Sequence, residues 1–555
     1  MFEIFCYSFI FVILFTPFGF FLTGDTKINL YLFSKELIFG SILLSFIAIL
    51  INFFFPLNLF VNTIILLVSI IVLIKKRKRY INLKFLKFVI LISILLTFLI
   101  TESNVYRPDA GLYHLPFIGI LNSEKIILGL SNLHFRYGHT SIVQHLSAIY
   151  NNLIFKDNGI VFAQAIIASS VIINFSYQVH KYITTKKYSF HLYVLFFILV
   201  FIFYKMNRYS EYGNDAPSHF LFFFFVSEVI LYLNNKHSSL ENNIILSLFV
   251  IQNKILLLPV IIFNFIGLKF NNIKKLFLRK NFYFLFFFIF IWITKNILTT
   301  GCIIYPIKES CIKNLSWTSI ENINHITKES EVWAKGYFDL EPKIKAKTDY
   351  EKFLNNFYWV NAWSKKHLKL INEIMLPYLI LCLLIILIFY FKSKNNYQKK
   401  NRIEYYLISV SFLTVLIWFL KAPLFRYGYS TIITFLSLVF ASILSNRDIN
   451  YKKINFTVKT IIFLGFFIII SKNLVRIINT QNSYANYPWP KYFSMKVGNN
   501  KNTYIKKELI YKQILVPEKP GYCMYVKNIC NHYGLNENLN IKNLKSYDII
   551  YFDSR

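Results

Sequence analysis

Charge is scarce in this sequence. Only 16% of its 555 residues are charged, and 27 acids stand against 61 bases. That share is too small to coat soluble domains of such length. Cysteine is scarce too, at six, which excludes a scaffold built from disulfides. Other patterns are missing outright. The first apolar run has no basic leader and no small-residue cleavage site, so it reads as a span and not as a removable signal. No repeat of the soluble type recurs. His114, His134, His139 and His145 lack the tight spacing, with an acid at hand, of a zinc site.

Apolar residues are what the chain has, at 55%. Runs of crossing length lie at 5–22, 37–54, 59–74, 88–100, 159–177, 192–204, 220–233, 282–299, 374–391, 405–420, 431–444 and 458–471. A further run at 244–267 is interrupted by Gln252, Asn253 and Lys254. The expectation is an all-α polytopic membrane protein of about fourteen transmembrane helices.

The net charge of +34 would suit nucleic acid, but the bases stand in short clusters between apolar runs. Clusters of that kind orient a membrane protein with its basic loops inside. Lys75 to Arg79 form one such block, without an acid, and Lys181, Lys186 and Lys187 form another. The same rule needs an even number of crossings over 244–267, because Lys269, Lys274, Lys275, Arg279 and Lys280 follow at once. Two short helices meeting at Lys254 satisfy it, and broken helices are tolerated where they line a protein cavity. The reading is therefore a membrane domain over 1–471, large external loops at 101–158 and 300–372, and a small extracytoplasmic tail domain over 472–555.

This topology, built from bases alone, places Asp109, His114, Arg136, Glu211, Asp215, Lys254 and Arg426 on one external face. Ionisable groups beside a bilayer are costly and mark a site by default. It places four cysteines there as well. Eight residues separate Cys302 from Cys311 and six separate Cys523 from Cys530. Both spacings can close a disulfide in an oxidising compartment. Cys6 and Cys382 lie in apolar runs and read as packing residues.

An acid with cations nearby, at a membrane interface, suits transfer of a group from a phosphorylated lipid. The acid takes a proton from the incoming hydroxyl. Arginine and lysine hold the departing phosphate. Asp109 fits the first role, with Asp215 and Glu211 as helpers or as ligands of a divalent metal; no other cofactor is implied. Lys254, Arg426 and Arg136 fit the second. Each residue also has a plain structural reading. Asp109 and Asp215 are good helix caps, the latter just before Ala216 and Pro217. Glu211 suits a solvated loop, Lys254 can snorkel, Arg426 can anchor a helix end, and Arg136 suits a loop ion pair. Trp333, Trp359, Trp363 and Trp489 are either sugar-stacking rings or buried packing.

Asp109-Ala110-Gly111-Leu112-Tyr113-His114 and Gln252-Asn253-Lys254 resemble the GT-C class of membrane glycosyltransferases, such as protein O-mannosyltransferases and the aminoarabinose transferases of lipid A. The match covers roughly the N-terminal half. The chain is also similar, over most of its length, to a group of bacterial multispanning proteins with D-x-G-L-Y-H, E-Y-G-x-D, G-C-x-x-Y-P and A-P-x-x-R-Y-G elements. Here these are Asp109 to His114, Glu211 to Asp215, Gly301 to Pro306 and Ala422 to Gly428. The first resemblance implies a sugar taken from a polyprenyl-phosphate donor at the external leaflet of the cytoplasmic membrane, and an envelope glycan, lipid or protein as acceptor. Tyr113 and His114 would then contact donor or sugar. Many GT-C relatives carry two adjacent acids at the loop start, whereas Ala110 follows Asp109 here; a lone base fits better than a metal-binding pair. Two other functions suit the same cations: a transporter or flippase of a lipid-linked or anionic solute, and a non-catalytic envelope assembly component. The sequence shows no paired half-repeats of the transporter kind. Nucleic acid is not an expected partner.

Overall fold

The computed structural model describes residues 2–553 except 25–27, 101–108, 140, 208, 210–211, 235–237, 267–279, 347, 392, 396–401, 446, 450, 479–503, 510–511, 519–521 and 537. The expected apolar runs all fall on helices. Among the described residues, nine helices are long and apolar enough to cross a membrane: Phe2–Thr23, Leu30–Asn52, Leu83–Ile100, Lys156–Thr184, Asp215–Leu233, Asn281–Thr300, Trp359–Phe391, Arg402–Lys421 and Ile454–Arg476. Shorter apolar helices are Leu59–Lys75, Phe190–Lys205, Ile255–Phe265 and Tyr429–Leu444. The protein is thus mainly helical, with the apolar helices of a membrane protein.

Several helices run past their apolar cores. The second begins at Leu30, not at 37, and takes Lys35 and Glu36 into its buried face. Each is neutralised from another helix: Lys35 by Glu228, and Glu36 by Arg79. The helix Leu83–Ile100 takes in Lys84 and Lys87, both exposed, whose stems can carry their charge clear of apolar surroundings. The long helix Trp359–Phe391 starts well inside the expected 300–372 loop.

The run at 244–267 breaks where the polar triplet stands. The helix Leu240–Asn253 ends because Lys254 is extended, at φ −151° and ψ 106°, and a 3-10 helix, Ile255–Phe265, follows.

The described part of 101–158 is no open loop. It carries the helices Leu115–Ser123, Leu130–Leu133 and Ile142–Ile149, the last opened by a capping box of Ser141 and Gln144. Every residue of Ile142–Ile149 is buried. The Asn62 side chain, from Leu59–Lys75, donates to the backbone oxygens of Leu57, Ala148 and Asn151 and ties the segment to the helices below. Residues 300–372 hold the helix Ile320–Ala334 and most of a separate small core, Val332, Tyr337, Phe353, Trp359 and Trp363, completed by Trp418 from the helix Arg402–Lys421.

The tail forms two antiparallel hairpins. Tyr504–Leu509 pairs with Lys512–Pro517, and Leu539–Leu544 with Tyr547–Phe552. Its described residues pack on the 101–158 segment. Leu128 N donates to Asp548 O and Ile550 N to Leu128 O, both at 2.9 Å; Met524 N donates to Gly111 O at 2.8 Å. Lys512 bridges Glu124 and Asp548, at 2.6 Å each. The contact is close enough to require Gly119, where a Cβ would lie 2.0 Å from Val526 O. Met524, Tyr525, Ile529 and Ile550 belong to the same apolar core as the helices.

Candidate functional site

The site starts from the break after Asn253. With the helix ended there, the Asn253 side chain is released to join three elements. Its Nδ2 donates to Ser218 Oγ at 2.6 Å and to Asn214 O at 3.3 Å, and its Oδ1 accepts from Ser141 Oγ. That fixes Lys254 beside Asp215, and Lys254 Nζ pairs with Asp215 Oδ1. The ammonium also lies 3.4 Å from the centroid of the Tyr427 ring, a cation–π contact.

Arg426 comes from the turn Phe425–Tyr427, between two apolar helices. One guanidinium nitrogen donates to Asp109 Oδ2 at 2.9 Å, and Nε lies 3.6 Å from Asp215 Oδ2. Four residues spread over more than three hundred positions thus form one chain of ion pairs, Asp109–Arg426–Asp215–Lys254. Neither acid is a side-chain cap. Asp109 is helical itself and makes no capping bond, while Asn214 holds the N-cap position before Asp215. Asp215 in the first helical turn is instead favoured by the helix dipole.

His219, not singled out from the sequence, locks this geometry. Its Nε2 lies 2.8 Å from Arg426 O, so Nε2 carries the proton. Its Nδ1 accepts from Ser430 N at 3.3 Å. The signal in the sequence was its place one helical turn after Asp215.

Tyr113 and His114 lie in a single π-helical turn, Ala110–His114, a distortion frequent at functional sites. His114 Nδ1 is 3.1 Å from Gln144 Nε2. Gln144 Oε1 accepts from Ser141 N, so its Nε2 is the donor and His114 carries its proton on Nε2. Arg136 makes no ion pair among the described residues. Its guanidinium stands 4.7 Å from the Tyr113 ring, 5.1 Å from Phe135 and 5.7 Å from Trp333. The loop ion pair suggested by the sequence is replaced by an aromatic cradle.

Beside these groups opens a cavity of about 710 Å³. Tyr113, His114, Arg136, Asp215 and Lys254 line it. Asp109 and Arg426 are not in its wall and join it through their ion pairs. Glu211 lies outside the described residues, as does Trp489. Trp333 lines the cavity, whereas Trp359 and Trp363 are buried in the small core. Among the described residues no three His, Cys, Asp or Glu side chains are grouped to hold a metal. Disulfides join Cys302 to Cys311 and Cys523 to Cys530, while Cys6 and Cys382 are free.

Imidazoles around the cavity are held uncharged. Burial pushes His114 down to about 4, against the pull of Asp109 and Asp215. Burial, then Arg136, brings His139 and His532 to about 4 as well, and burial with Lys295 brings His145 to about 3. Each native pKa lies below the unfolded one. The unfolded chain therefore binds more protons in the window between, and stability falls as pH drops from about 6.5 toward 4. Thermal melts of the purified protein are expected to weaken steadily from pH 7 to pH 5, and a flat profile would contradict the burial of these rings.

No match is found among curated proteins or among solved structures. Residues 1–433 match the model of a family described as a domain of unknown function, DUF8201, and the chain belongs to that family.

Proposed function

We propose that the protein is a glycosyltransferase of GT-C architecture, with about fourteen spans. It moves a sugar from a polyprenyl-phosphate donor to an envelope glycan, lipid or protein acceptor. One observation carries this reading: an acid–base chain drawn from four distant points of an apolar helical protein comes together, and two of its members, Asp215 and Lys254, stand in the wall of one large cavity. The acceptor oxygen attacks the anomeric carbon and the bond from that carbon to the phosphate oxygen breaks. Asp109 takes the acceptor proton, and polyprenyl phosphate leaves with the bonding electrons.

The leaving phosphate gains negative charge as the bond breaks, so cations beside it favour the transition state. Lys254 and Arg426 are each partly neutralised by Asp215 and Asp109. Arg136 has no carboxylate partner among the described residues, and its planar fork matches phosphate oxygens. It is the principal phosphate-binding group in this reading. Placement in the cytoplasmic membrane with the site on the external side rests on two supports. Two further segments that line the cavity, through Tyr305 and Tyr533, carry the two disulfides, which form in oxidising compartments. The basic blocks orient the opposite helix ends inward.

The test is transfer from labelled polyprenyl-phosphate sugars in proteoliposomes, read as labelled glycoside and free polyprenyl phosphate. Arg136→Gln is expected to lower kcat/KM for the donor by about ten- to a hundredfold, the worth of a charged hydrogen-bonded contact. Movement of the lipid-linked sugar across the bilayer without any glycosidic product would replace this reading with a flippase.

A further inference from the structure

Two tyrosines that the transfer chemistry leaves unused face the cavity, and each lies beside a disulfide. Tyr305 is inside the loop closed by Cys302 and Cys311, and Tyr533 follows Cys530, which is joined to Cys523. They differ in character. Tyr305 is 4% exposed, and its hydroxyl has no hydrogen-bond partner among the described residues. Its ring packs against His139 at 4.9 Å and passes close to Gly138, where a Cβ would lie 2.6 Å from the ring. The ring is fixed and its polar end is uncommitted. Buried polar groups normally find partners, so an orphan in a cavity wall calls for a ligand atom.

Tyr533 is 68% exposed. Its ring is stacked on His134 at 5.0 Å and lies 4.0 Å from His532, so it is supported from behind by two imidazoles. A second orphan lines the same cavity: Gln252 is 3% exposed, and its Oε1 has no partner among the described residues while its Nε2 reaches Phe288 O.

We propose that Tyr305, Tyr533 and Gln252 form a second subsite of the cavity, which holds the hydroxyl-rich ring of a sugar acceptor. The phenol and the amide oxygen supply one donor and one acceptor to ring hydroxyls. The planar face of Tyr533 packs on the C–H face of a pyranose. None of the three carries charge, so the subsite suits a neutral ring and leaves the phosphate to Arg136 and Lys254. Calling the ring an acceptor rests on the transferase reading; the subsite itself does not. Tyr533 lies beyond residues 1–433, the part matched by the family. The tail therefore brings acceptor choice to a site whose charged groups lie within the matched part.

The test uses the full-length protein in nanodiscs, with methyl glycosides of glucose, galactose, mannose and rhamnose as probes. Binding is read by saturation-transfer NMR, and polyprenyl phosphate binding is measured separately. At least one glycoside is expected to bind. Its signal should vanish in Tyr533→Leu, survive in Tyr533→Phe, and weaken about five- to tenfold in affinity in Tyr305→Phe. Tyr533 is exposed, so its variants are expected to melt like the parent. Absence of glycoside binding to the parent protein, or equal binding by Tyr533→Leu and Tyr305→Phe, overturns the subsite. Glycoside binding that follows the tyrosines without any polyprenyl phosphate binding keeps the subsite and removes the donor assignment.

Discussion

Asp109→Asn is expected to remove about two to four orders of magnitude from kcat, the ordinary contribution of a positioned general base, while leaving KM for the donor nearly unchanged. Two carboxylates compete for the role, and their bonding separates them. Asp215 has both oxygens engaged, Oδ1 by Lys254 and Oδ2 near Arg426 Nε. Asp109 has only Oδ2 engaged, by Arg426, and Oδ1 meets no partner among the described residues. A proton can be accepted on Asp109 without breaking an ion pair. Asparagine keeps the acceptor toward Arg426 and removes the basicity, so the arginine should stay in place. Asp215→Asn should behave differently. It loosens Lys254 and Arg426 together, and both KM and kcat should move. Rates measured in proteoliposomes across a donor titration give the split. A kcat for Asp109→Asn within about threefold of the parent would end its assignment as base, since no positioned base contributes so little.

The sequence carried the break at Lys254 openly, because three polar residues in a greasy run are conspicuous and because the basic block after them had to return inside. It also carried the two disulfides, whose partners lie close in sequence. Other features depended on partners distant in the chain. Lys35 and Glu36 looked like the flank of a span because their neutralising residues, Glu228 and Arg79, lie on other helices. Asp109 and Asp215 each fitted a local capping motif, and only the arrival of Arg426 from more than two hundred residues away shows that their side chains are used otherwise. Residues 101–158 read as a loop because their described helices, Leu115–Ser123, Leu130–Leu133 and Ile142–Ile149, are too short to register as runs of crossing length. They become buried only when the tail covers them and Asn62 holds them from below. Arg136 offered no acid nearby in sequence, and its aromatic support from Trp333 could not be read from spacing.

The pair Lys35–Glu228 provides the largest stability effect. Lys35 Nζ lies 2.6 Å from Glu228 Oε2, and Tyr31 donates its hydroxyl to Glu228 Oε1 at 2.8 Å. Both charged side chains are essentially inaccessible, at 1% and 0%. The carboxylate thus has a hydrogen bond on each oxygen, which is the condition for a buried pair to be tolerated. Glu228→Leu removes the carboxylate that neutralises the buried Lys35 ammonium, Lys35→Met removes the ammonium beside Glu228, and each is expected to cost about 3–5 kcal/mol. The double variant removes both charges at once, and similar apolar volume then fills the space. It should recover most of the loss, because desolvation of the two ions disappears together with their attraction. The pair also joins the helix Leu30–Asn52 to Asp215–Leu233, whose first residue belongs to the candidate site. Loss of stability in the single variants should therefore bring loss of transfer, and the double variant should restore both. Melting temperatures and transfer rates of the three variants form a double-mutant cycle that decides between two roles. Recovery in the double variant identifies the pair as a pin between helices. A double variant that melts like the parent yet transfers nothing would instead show that the charges themselves serve the reaction, and the pin would be the wrong account.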